Sequence, residues 1–90
     1  MFRFKAGIKV PYSRQGYIYF TSLRFKELSE EKQNKIRQLC RECGGQYRKA
    51  LFTAVTTETP RDIICDRYYI SKETLKRILR QYYESFPKEL

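Results

Sequence analysis

Lys72, Lys76, Arg77 and Arg80 place four cations within nine residues, interrupted by a single acid, Glu73. At helical spacing these positions fall on one outward face, and a face that is merely solvated usually mixes its signs more evenly. Lysine neutralises phosphate as a point charge, and arginine grips anions with a planar fork, so the chemistry on offer is recognition of a phosphate-bearing partner. Arg61 and Arg67 lie just upstream. Near the N-terminus Arg3, Lys5, Lys9, Arg14, Arg24 and Lys26 occur with no acid between Met1 and Lys26. Of these, Arg3, Lys5, Lys9 and Arg14 form an arm able to lie along a phosphate backbone. The whole chain carries 19 Lys and Arg against 10 Asp and Glu, a formal net charge of +9. An anionic partner is therefore the first expectation, be it nucleic acid, a membrane surface or an acidic protein.

Other chemistry is poorly provided for. Cys40-Arg41-Glu42-Cys43-Gly44 has the spacing of half a zinc knuckle, but the chain has no His and only Cys65 remains as a further thiol. Both cysteines also fit the apolar stripe of a helix, so no metal and no cofactor is expected. With no His, no Gly-rich phosphate loop and no paired carboxylates in an apolar setting, catalysis is not expected either. Three cysteines, two of them three residues apart, suit reduced thiols better than a disulfide framework. No stretch approaches the roughly 18 to 20 apolar residues that a membrane span requires, and no secretory leader is recognisable, which points to the cytoplasm.

Ninety residues with 41% hydrophobic content amount to one domain of modest core. FRFKAGIKV and GYIYFTSLRF, rich in aromatic and β-branched residues and separated by PYSRQ, predict a β-hairpin arm over residues 1–26. The aromatic residues of that hairpin suit core coverage better than stacking on single-stranded bases. Ser29 followed by Glu30 and Glu31 signals a helix start, Ile36, Leu39, Cys40 and Cys43 give it an apolar stripe, and Gly44-Gly45 stops it. Tyr47, Ala50, Leu51, Ala54 and Val55 mark a second helix, whose end frays into threonines, so residues 27–58 form a two-helix support. Thr59 as cap, Pro60 at the first helical position and Asp62 reaching back to the cap begin a third helix ending near Tyr68. A fourth runs from the Ser71 cap to about Phe86 with Leu75, Ile78, Leu79, Tyr82 and Phe86 inward, and Pro87 ends it. The expected fold class is mainly α with an N-terminal β-hairpin, a compact helical domain.

Residues 59–86 resemble the helix-turn-helix of DNA-binding proteins. In that family a small residue within the first helix allows close approach, an apolar residue plugs the turn, and two apolar residues anchor the second helix. Cys65, Ile70, Leu75 and Ile78 stand at those positions, with Ser71 as the opening cap. Tyr69 departs from the frequent Gly before the plug, at a cost on the order of 1 kcal/mol if the backbone there is left-handed. The resemblance implies base reading by Lys72, Glu73 and Lys76 or Arg77, with Arg80 alongside and Arg61 and Arg67 on phosphates. The chain as a whole also resembles small accessory regulators of phages and mobile elements. That likeness implies double-stranded DNA as partner, pairing of two copies on half-sites, and transcriptional regulation or control of recombination direction. A second reading from another class is an inhibitor or adaptor whose basic surface engages a recombinase, polymerase or host nuclease. The bland alternative is a helical module whose last helix is simply solvated.

Overall fold

The computed structural model describes residues 9–88 and residue 90. Five α-helices follow one another: α1 (Tyr12–Leu23), α2 (Glu30–Gly44), α3 (Arg48–Thr56), α4 (Arg61–Tyr68) and α5 (Lys72–Ser85), with short 3-10 turns at Phe25–Glu27 and Gly45–Tyr47. They enclose one core in which Ile18, Ile36, Leu51, Ile64, Leu75, Ile78 and Tyr82 are almost wholly buried.

The β-hairpin expected over residues 1–26 is overturned, because there is no strand among the described residues and Tyr12–Leu23 is helical. Most of the first expected strand, in residues 1–8, lies outside the described residues. The second, GYIYFTSLRF, is an apolar run whose content suits strand and helix alike, and only its inward face could have separated the two. That inward face is polar: Gln15, Thr21 and Ser22 are buried beside Ile18, while Tyr12 and Phe20 are exposed. The hydroxyl of Ser22 shares a 2.7 Å hydrogen bond with the Tyr82 hydroxyl, and the Gln15 amide donates to the Val10 carbonyl at 3.0 Å. Pro11 opens the helix, its carbonyl accepting from the Gln15 N–H, where a turn was expected.

Helix α2 begins as its sequence predicts, with the Ser29 hydroxyl accepting from the Lys32 N–H. At its far end Gly45 takes φ 55°, a backbone that favours glycine. Gly44 brings α3 close, since a methyl group there would sit 3.4 Å from the Leu51 side chain. The threonines ending α3 close it rather than fray, as Thr56 and Thr57 donate to the carbonyls of Phe52 and Thr53.

The start of α4 lies one residue later than expected. Pro60 is the cap, its carbonyl accepting from the N–H groups of Ile63 and Ile64 at 3.1 Å, and no side chain caps the helix. A reciprocal box is impossible there because proline has no N–H to receive Asp62. Thr59 is instead tied to Thr57 through a 2.7 Å hydroxyl contact.

Between α4 and α5, Tyr69 adopts φ 54°, ψ 48°, and the Cys65 carbonyl accepts from the N–H groups of both Tyr69 and Ile70. This left-handed cap reverses the chain and drives Ile70 into the core while Tyr69 stays 91% exposed. Since the Tyr69 side chain buries almost nothing, Tyr69→Gly should stabilise the domain by up to about 1 kcal/mol. Denaturant melts of the two proteins measure this, and a destabilised glycine variant would refute it.

Candidate nucleic-acid interface

Helix α5 divides its residues sharply. Leu75, Ile78, Leu79, Tyr82 and Tyr83 are buried, whereas Lys72, Glu73, Lys76, Arg77 and Arg80 are all exposed. The Ser71 hydroxyl accepts from the Thr74 N–H at 3.1 Å and donates to the Thr74 hydroxyl at 2.8 Å, which fixes the first turn of the helix. The positions expected to read bases thus share one solvent-facing stripe of a capped helix, and the turn before them is rigidly closed.

Two features modify that stripe. Lys72 is paired with Asp62 of α4 at 2.9 Å, with both side chains largely exposed. The hydrogen bond and charge of each partner pull Asp62 below the usual carboxylate range and raise Lys72. A carboxylate therefore stands at the mouth of the basic face. At the other end, the Lys9 N–H donates to the Glu84 carboxylate at 3.2 Å, so the chain before α1 runs beside the outer end of α5.

Each of the upstream cations has its own local setting. Arg61, at the start of α4, faces the space beside Tyr83, where its charge partly offsets the upward push of burial on that phenol. Arg67 lies beside Tyr68 and helps to lower its phenol, after the hydrogen bond from Thr53. Arg14 carries a structural load: its guanidinium donates to the carbonyls of Phe86 and Pro87 at 3.4 and 3.1 Å and lies over the rings of Tyr17 and Phe86. It thereby satisfies carbonyls left open at the end of α5. Arg3 and Lys5 lie outside the described residues, and Lys9 is exposed.

The thiols lie against the core. Burial pushes Cys40 up to about 12 and raises Cys43 as well. No cluster of three or more metal-ligating side chains occurs among the described residues, and Cys40, Cys43 and Cys65 are all free thiols. No helix among the described residues is long and apolar enough to cross a membrane.

A second basic surface went unread in the sequence. Between α2 and α3, with Tyr68 of α4 at one end, lies an open groove of about 350 Å³ whose lining includes Arg37, Arg41, Arg48 and Lys49. Its residues come from three helices, so no local run of charge reveals it. The one local signal is Arg48-Lys49 opening a helix with no acid in its first turn, the reverse of the usual placement. The chain matches no family model, no curated protein and no solved structure.

Proposed function

We propose that this chain is a double-stranded DNA-binding accessory or regulatory protein acting in the cytoplasm, with α5 in the major groove and α4 bracing it. The observation that carries the reading is the exposed stripe of Lys76, Arg77 and Arg80 on a helix opened by a serine cap and a left-handed turn. A short turn that orients one helix firmly against another is what major-groove insertion needs, and arginine and lysine there can reach guanine edges and phosphates. Regulation of transcription or of recombination direction would follow from such binding, with two copies on paired half-sites supplying affinity.

The test is a titration of the full chain against a pool of duplexes, followed by selection of the preferred site. Arg77→Ala or Lys76→Ala should weaken the selected site by about ten- to a hundredfold while leaving the melting temperature unchanged. Asp62→Asn should tighten binding by releasing Lys72 and removing a charge that repels phosphate. Unchanged isotherms for both alanine variants would refute the reading. If those variants instead lose a protein partner recovered from nuclease-treated lysate while DNA binding persists, the basic face belongs to an inhibitor or adaptor.

A further inference from the structure

The groove between α2 and α3 is built unlike the α5 stripe. Its rim is cationic and its floor is apolar and aromatic, with Cys40 and Phe52 below Arg41, Arg48 and Lys49. Among the described residues, no carboxylate lines it. The nearest acid in sequence, Glu42, accepts from the Gln38 amide at 3.0 Å on its own helix. Among the described residues, Arg41, Arg48 and Lys49 form no ion pair with any acid. The floor is held in place: Phe52 meets Phe25 edge-to-face at 5.0 Å, and the Arg37 guanidinium covers the Phe25 ring at 5.1 Å. At the far end Tyr68 shares a 2.9 Å hydrogen bond with Thr53.

Arg41 suits the last turn of α2, but helix stability does not account for the other two cations of the rim. Arg48 and Lys49 occupy the first turn of α3, where the helix dipole is already positive and Tyr47 supplies no side-chain cap. Cations there oppose helix stability. A ligand that brings negative charge complements that placement. The volume suits a small molecule or a single unit of a chain, being at the lower end of ligand pockets. An unstacked base laid on a half-buried ring, with its phosphate among arginines, satisfies both floor and rim. A duplex keeps its ring faces stacked away, and a run of Asp or Glu brings carboxylates without a ring.

We propose that this groove binds a nucleoside phosphate, free or as one unit of a single strand, with Arg41, Arg48 and Lys49 on the phosphates and the base against Phe52 and Tyr68. None of the α5 cations lines the groove, so the site is independent of the duplex reading.

The test uses the full chain, titrated by fluorescence anisotropy with a fluorescent nucleoside triphosphate and with a labelled oligothymidylate of about eight nucleotides. Arg48→Glu and Arg41→Glu should each weaken binding by about ten- to a hundredfold. Arg48→Glu should keep or raise the melting temperature, since an acid suits the first turn of a helix. Phe52→Leu, which keeps apolar bulk but removes the ring, should weaken the nucleotide while leaving competition by pyrophosphate unaltered. Binding of the triphosphate alone assigns free nucleotides, binding of the oligonucleotide alone assigns a single strand, and binding of both assigns a site that takes one nucleotide from either source. The proposal is overturned if neither probe binds, if the charge reversals leave binding intact, or if polyglutamate competes as well as the nucleotide. It is also overturned if Arg77→Ala weakens these probes as much as Arg48→Glu, because the binding then belongs to α5.

Discussion

Tyr82→Ala should cost about 3–5 kcal/mol, a loss comparable with the whole stability of many small domains. The ring is fully enclosed and meets Tyr83 and Phe86 in edge-on contacts at 6.1 and 5.6 Å. Its hydroxyl has one partner of note, the Ser22 hydroxyl of α1 at 2.7 Å. That bond crosses 60 residues of sequence and pins the first helix to the last. Two milder variants separate the ring from the bond. Ser22→Ala leaves a phenolic oxygen buried and rigidly placed, which should cost about 1–3 kcal/mol. Tyr82→Phe leaves only a serine hydroxyl, which can swing to the carbonyl one helical turn before it, so about 0.5–1.5 kcal/mol is expected. Urea melts monitored by circular dichroism give all three values. A negligible cost in both Ser22→Ala and Tyr82→Phe would mean that the bond does not hold α1 in place.

Alkaline conditions should unfold the domain. Burial raises the Cys40 thiol from 9.0 to about 12 and the Tyr83 phenol from 10.0 to about 12, and it holds Tyr82 well above the usual phenol range. These groups are neutral when protonated, and the native state keeps their protons to higher pH than the unfolded chain does. Their contribution to stability is therefore complete below about pH 9 and is lost as pH rises from 9 towards 12, at about 1.4 kcal/mol per pH unit for each group ionised only in the unfolded chain. Tyr68 runs the other way: the Thr53 hydrogen bond, with help from Arg67 and Lys49, lowers its phenol, but solvent screens that exposed group. Stability should be level from neutral pH to about pH 9 and then fall, the slope easing in Cys40→Ala and again in Tyr83→Phe. A stability constant up to about pH 11, or an identical slope in Cys40→Ala, would contradict this account.

The helices that follow Leu28 are legible because their signals act over a few residues. Ser29 and Ser71 each cap their own helix through an N–H three residues on, as their spacing from the apolar stripes implies. The reversal before Ile70 needs a left-handed residue at Tyr69, and φ 54° is found there despite the side chain. The cap of α4 lies one residue later than its sequence implies, at Pro60, whose extended backbone keeps it outside the helix.

What sequence alone determined, then, is the run from α2 to α5 and the basic outer stripe of α5, where period, cap and turn chemistry agree within each segment. Tertiary structure alone decided α1 and the groove. The inward face of α1 is Gln15, Ile18, Thr21 and Ser22, a face with too little apolar character to register as a helix, and its polar groups are buried only because partners are folded against them. Ser22 meets Tyr82, and Arg14 reaches the Phe86 and Pro87 carbonyls across more than seventy residues of chain. The groove likewise exists only once the end of α2, the start of α3 and Tyr68 converge. Interactions closed within one helical turn are written in the order of residues, whereas hydrogen bonds and charge clusters assembled across the core depend on which helices pack together.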